Sequence, residues 1–221
     1  YHNAMDDGEI TEPIFTATEK AGFLAVTWLD AGTRNFYTVK KPIQSPADLK
    51  GLKIRVQQSP TNIEMMKLLG GAAAPMGFGE VYTALQSNII DGAENNEMAL
   101  TDNGHGDVCK YYSYDMHQMV PDILIGNHAF IEGLADEERA IFEEGYELVN
   151  RVQRSEWVEA VEAAKEKAVS EQKVQFIYPD QKPFVEACMP LHESVLSKNQ
   201  EIQPIYNKIQ EYNKQYPSEA K

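Results

Sequence analysis

Cysteine is scarce in this 221-residue sequence, with Cys109 and Cys188 the only two. They stand 79 positions apart, so they form neither a CxxC motif nor a short-loop disulfide framework. They read as two unrelated buried thiols, with one disulfide in an oxidising compartment as the alternative. Long apolar runs are missing as well. No stretch approaches the roughly 18–20 residues of a membrane span, and no basic start with an apolar segment stands at Tyr1. Basic residues number 20 against 34 acidic ones, for a formal charge of −14. That field repels nucleic acid and anionic lipid, which argues against a phosphate-backbone partner. It also repels a free carboxylate at long range, so an anion site has to be built locally from arginine and backbone N–H groups.

Motifs for common chemistries are absent too. There is no Gly-rich phosphate loop, GxSxG elbow, HExxH pair or EF-hand spacing. The five histidines are dispersed. His105 and Cys109 stand four apart without a third ligand, so no metal is expected and His105 reads as solvent-facing. Glu80, Asp91 and Glu94 offer carboxylates but no nucleophile accompanies them, and such groups are common beside α/β sheets. No catalytic residue, metal or cofactor is assigned.

What the sequence does hold is a succession of strand and helix signals. Its 43% hydrophobic and 24% charged residues are ordinary for a globular chain. The length allows one large core or two smaller ones. Residues 1–12 are polar, and Pro13 to Lys20 is expected as a short helix. Gly22 to Leu29 lacks alternation and reads as a strand buried on both faces. After a break at Asp30-Ala31-Gly32-Thr33, Arg34 to Val39 resumes as a strand, as in a crossing between two bodies. Ser45-Pro46 and Ser59-Pro60 are capped helix starts. Between them Lys53-Ile54-Arg55-Val56 alternates, placing Lys53 and Arg55 on one face. Ile63, Met66 and Leu69, with Met65, form an apolar stripe at helical spacing.

A small-residue strand over 72–76, a helix over 79–87, a strand from Ile89 and a Tyr-rich strand over 110–116 follow. This alternation predicts a parallel α/β sheet between Ala31 and Val120. Beyond Pro121 an apolar strand over 123–131 returns to the first body. Ala135 to Gln172 contains only Gly145 as a breaker, which predicts one long helix, or two joined by a bend, bracing both bodies. A strand over 173–178 and helices over 182–197 and 204–212 complete the chain, with the tail from Lys214 expected to fray.

Three blocks carry a resemblance: Gly51-Leu52-Lys53-Ile54-Arg55-Val56, Phe78-Gly79-Glu80-Val81-Tyr82-Thr83-Ala84-Leu85-Gln86, and Asp91-Gly92-Ala93-Glu94-Asn95. In order and spacing they resemble the substrate-binding proteins of tripartite ATP-independent periplasmic (TRAP) transporters, over about Asp30 to Tyr114. The resemblance implies an α/β, two-domain periplasmic-binding-protein-like fold with hinge strands and a long bracing helix, closing over an organic acid. It places 1–32 plus 121–160 in domain I, with the remainder of that domain expected upstream of Tyr1, and 33–120 plus 161–221 in domain II. It also implies a periplasmic receptor, or a membrane-tethered one where no outer membrane exists. Such a receptor is not an enzyme and delivers a small-molecule carboxylate to membrane-embedded permease subunits.

Carried over block by block, Arg55 pairs with the ligand carboxylate, Asn95 contacts the same group, and Phe78 lines the pocket. Arg34, just past the hinge, is a second candidate arginine. A guanidinium suits the role because it offers two parallel donors and stays charged when desolvated. Glu80 and Glu94 read as structural, capping a helix start or buttressing Arg55. The block Thr33-Arg34-Asn35-Phe36-Tyr37 is similar to sugar-acid receptors, which favours a hexuronate or aldonate as ligand. A C4-dicarboxylate or other short acid is the alternative, and a ligand-sensing domain or a carboxylate-using enzyme on the same fold is a further one.

Overall fold

The structure is a computed structural model that describes residues 1–216. In chain order it forms α1 (His2–Met5), α2 (Gly8–Thr16), β1 (Phe23–Leu29), β2 (Thr33–Thr38), β3 (Lys53–Val56), α3 (Pro60–Leu68) and β4 (Ala72–Pro75). Then come α4 (Val81–Gln86), β5 (Gly92–Asn95), α5 (Met98–Thr101), β6 (Tyr111–Met119), β7 (Asp122–Asn127) and α6 (His128–Glu132). The chain continues with α7 (Asp136–Ser170), β8 (Gln175–Ile177), α8 (Lys182–Lys198) and α9 (Gln203–Gln215). No helix among the described residues is long and apolar enough to cross a membrane.

The chain divides into two compact units. Unit 1 holds Tyr1–Ala31, Pro121–Val158 and residues 198–216. Unit 2 holds Gly32–Val120 and Glu159–Ser197.

Unit 1 is built on the antiparallel pair β1–β7. β1 was expected to be buried on both faces, yet Phe23 is exposed and burial alternates along much of the strand. The early helix also begins sooner than Pro13. Asp7 caps α2 by accepting from Glu9 N at 3.0 Å, and Pro13 sits inside it. The last helix was expected in domain II but groups with unit 1, because it is tied to α2 by two polar contacts. Lys208 Nζ lies 2.7 Å from Glu9, and the Tyr212 hydroxyl donates to Asp7 at 2.8 Å. Lys214 and Gln215 are helical, and the rest of the tail expected to fray lies outside the described residues beyond Tyr216.

Unit 2 is a six-stranded sheet of order β4-β3-β5-β2-β6-β8. It is mixed rather than parallel. β3–β4, β3–β5 and β6–β8 are parallel, but β2 runs antiparallel to both β5 and β6. β2 enters this sheet directly after β1 of the other sheet, across only Asp30-Ala31-Gly32, so no crossover helix leads into it. Successive residues of β2 enter two different cores. Tyr37 packs with Val81, Leu85, Leu100 and Tyr112, whereas Phe36 packs with Ile54, Val56, Met66 and Phe184. On α3 the buried stripe runs through Asn62, Met65, Met66 and Leu69, leaving the expected Ile63 exposed. The stretch without breakers is one continuous helix, α7, of 35 residues.

Candidate functional site

Strand alternation places Ile54 and Val56 in one core and turns Arg55 to the other face of β3. Arg55 is only 3% exposed. Its Nε and Nη2 donate to the Met76 carbonyl at 3.2 and 3.0 Å. Its guanidinium carbon lies 5.5 Å from the centre of the Phe78 ring. Burial lowers its pKa and Arg34 adds to that, while Glu94 and Tyr37 oppose it. Arg55 makes no ion pair among the described residues. A buried guanidinium held by a carbonyl alone keeps its charge available to an anion, because buried charges are ordinarily paired.

Phe78 is fixed by a short turn. Glu80 Oε2 accepts from Gly77 N at 3.0 Å, so Glu80 caps the helix start. Phe78 is 40% exposed, which leaves part of the side chain free for contact beside the buried cation.

Arg34, the second candidate arginine, is paired within the protein. Its fork is occupied by Glu94: Nε at 2.5 Å and Nη2 at 3.0 Å from the two carboxylate oxygens, with Nη2 also 3.0 Å from the Glu94 carbonyl. Its Nη1 donates to Asn95 Oδ1 at 3.1 Å. Asn96 N donates to the same oxygen at 2.9 Å. Two donors aimed at one atom identify that atom as the amide oxygen. The Asn95 amide nitrogen is left without a partner among the described residues. Glu94 therefore buttresses Arg34 rather than Arg55.

Sequence reasoning missed the residues behind this pair. On β6, Asp115 Oδ2 lies 2.6 Å from His117 Nδ1, and His117 Nε2 lies 3.6 Å from Glu94. At 3.6 Å the second contact is an ion pair, and Nε2 makes no hydrogen bond among the described residues. Burial works against a charged imidazole, but Asp115 and Glu94 outweigh it and push His117 up to about 9. For Glu94 burial likewise disfavours the charge, yet His117 and Arg34 hold the carboxyl below its usual range. A β-bulge makes this arrangement possible. The β2–β6 register shifts between Arg34 and Phe36, Met116 takes φ 50°, and Asp115 Oδ1 accepts from Phe36 N at 2.9 Å.

His105 corrects another expectation. It is 2% exposed rather than solvent-facing, its Nδ1 lies 2.8 Å from the Tyr37 hydroxyl, and its ring is 5.5 Å from that of Phe78. Burial and the Arg55 charge hold its pKa down at about 4, so it is neutral near pH 7. Burial pushes the Cys109 thiol up to about 12. No group of His, Cys, Asp and Glu among the described residues is arranged to hold a metal, and both cysteines are free.

Arg55 and Phe78 thus lie side by side, and Asn95 stands at the end of β5, all three in unit 2. Such a set suits a carboxylate attached to a compact body with C–H faces. The family model described as DctP, bacterial extracellular solute-binding protein family 7, matches residues 1–199. An uncharacterized protein of Salmonella typhimurium, YiiZ, is 41% identical over 210 residues, covering 95% of this chain and 64% of its own length. The chain therefore spans just under two thirds of that relative.

A TRAP periplasmic solute-binding protein from Anaerococcus prevotii, solved with bound α/β D-glucuronate, is 66% identical with a TM-score of 0.95. The match covers 99% of this chain and 70% of that one. A TRAP periplasmic solute-binding protein from a Sulfitobacter species, solved with β-D-galacturonate, is 32% identical with a TM-score of 0.89, covering 94% and 68%. The chain belongs to the DctP family, the family 7 bacterial extracellular solute-binding proteins.

Proposed function

We propose that the protein is a periplasmic TRAP receptor that captures a hexuronate, D-glucuronate or D-galacturonate, and passes it unchanged to membrane-embedded permease subunits. The observation that carries this reading is Arg55, a guanidinium 3% exposed with no carboxylate partner among the described residues. A ligand carboxylate pairs with it through two parallel charge-assisted hydrogen bonds. The Asn95 amide nitrogen donates to the same carboxylate, and Phe78 packs against the sugar ring. Arg34 serves by holding Asn95 through its Nη1, with Glu94 fixing the guanidinium. The ligands in the Anaerococcus and Sulfitobacter proteins, both uronates, support the choice of a sugar acid over a C4-dicarboxylate.

Mass spectrometry of ligand co-purified with the protein tests the proposal, followed by calorimetry against glucuronate, galacturonate, succinate and glucose. One hexuronate is expected to bind 1:1, with glucose weaker by about a hundredfold or more because it leaves Arg55 unpaired. Tightest binding to succinate, or no binding of either uronate, refutes it.

A further inference from the structure

Beneath the proposed acid site lies a buried row of charges that alternates in sign. Asp115 touches His117 at 2.6 Å, His117 faces Glu94 at 3.6 Å, and Glu94 takes the Arg34 fork at 2.5 and 3.0 Å. The side chains of Asp115, His117 and Glu94 are at most 1% exposed. With His117 protonated the four charges cancel, and Arg55 is left as the uncompensated cation. With His117 neutral the row carries one net negative charge, and Arg55 feels it, since Glu94 is its largest electrostatic partner. Phe36 stacks on the imidazole with ring centres 4.3 Å apart and fixes its plane between the two carboxylates.

We propose that His117 is a positioning residue for acid recognition, a buried counter-cation that keeps Asp115 and Glu94 from cancelling the charge of Arg55. The inference rests on the uronate-receptor reading and assigns His117 no contact with ligand. The charged and titratable groups facing it are Asp115 on its own strand, Glu94 on β5 and, through Glu94, Arg34 on β2. From α8 the Cys188 thiol faces Asp115, and burial, with Asp115 adding, raises it to about 11. It therefore stays neutral over the range in which His117 titrates. The imidazolium persists across neutral pH because its two carboxylate neighbours raise its pKa to about 9 against the cost of burial.

The test combines ring-nitrogen NMR with calorimetry of D-glucuronate on the whole protein. Near pH 7 both His117 nitrogens are expected to carry protons, and a neutral ring overturns the proposal. Wild-type affinity is expected to fall about tenfold between about pH 7 and pH 10, the size of one uncompensated charge in a low-dielectric site. His117→Gln is expected to be about tenfold weaker near pH 7 and to lose that pH dependence. Adding Asp115→Asn restores neutrality, keeps an acceptor for Phe36 N and leaves the Glu94–Arg34 pair in place, so the double variant recovers most of the affinity. A merely structural role predicts a double variant no better than the single one. Should Arg55→Ala bind glucuronate as wild type does, the receptor reading fails. Should Arg55→Ala lose binding while His117→Gln matches wild type in affinity and pH profile, only the role of His117 fails.

Discussion

Replacing His117 by Gln removes a buried proton-binding group whose contribution to stability depends on pH in a defined direction. Burial opposes the imidazolium, but Asp115 at 2.6 Å and Glu94 at 3.6 Å outweigh it and raise the pKa from 6.5 to about 9. A shift of that size corresponds to on the order of 3 kcal/mol. The folded state binds this proton more tightly than the unfolded chain. The contribution is therefore complete below about pH 6.5 and fades as pH rises through about 9.

His105 works in the opposite sense. Burial and Arg55 depress its pKa to about 4, so the unfolded chain takes up its proton first and stability falls as pH drops from about 6.5 towards 4. These two groups alone favour greatest stability of unit 2 near pH 6.5. Urea unfolding followed by near-ultraviolet circular dichroism of the Tyr37–Tyr112–Tyr114 cluster reads the effect. Wild type is expected to exceed His117→Gln by roughly 3 kcal/mol near pH 6, with the gap closing above about pH 10. A gap that stays constant with pH refutes the reasoning and leaves His117 a packing residue.

Two further substitutions test the buried framework. Arg34→Ala removes the close partner of Glu94, which is 0% exposed, leaves it only His117 at 3.6 Å and gives the buried row a net negative charge, and is expected to cost about 3–5 kcal/mol in urea unfolding; adding Glu94→Gln should return part of that loss. Gly92→Ala would place a Cβ 2.4 Å from the Tyr37 carbonyl and 2.8 Å from Thr38 Cγ2, where β5 meets β2. With backbone on the other side of the clash, thermal melting should show a loss of about 1–3 kcal/mol or more.

Local signals made much of the framework legible in the sequence. Arg55 was placed on the face opposite Ile54 and Val56 because a four-residue strand leaves no other alternation. The long helix followed from a stretch holding only Gly145 as a breaker. The direction of β2 was not legible, since alternation within a strand carries no information on which way its neighbours run. The Asp115–His117 pair stayed hidden for a related reason. It depends on a bulge that opens the β2–β6 register and on Glu94 arriving from a third strand, and neither leaves a local mark. The pairing of Arg34 with Glu94 was not legible either, since it needs β2 and β5 side by side.

Calorimetric titration of D-glucuronate into wild-type protein and Arg55→Ala tests the central claim most directly. A buried guanidinium without a carboxylate of its own should carry the ligand's acid group, so wild type binds 1:1. Arg55→Ala loses about 2–5 kcal/mol, a drop of roughly thirtyfold or more. Equal affinity of the two proteins for glucuronate would contradict the account.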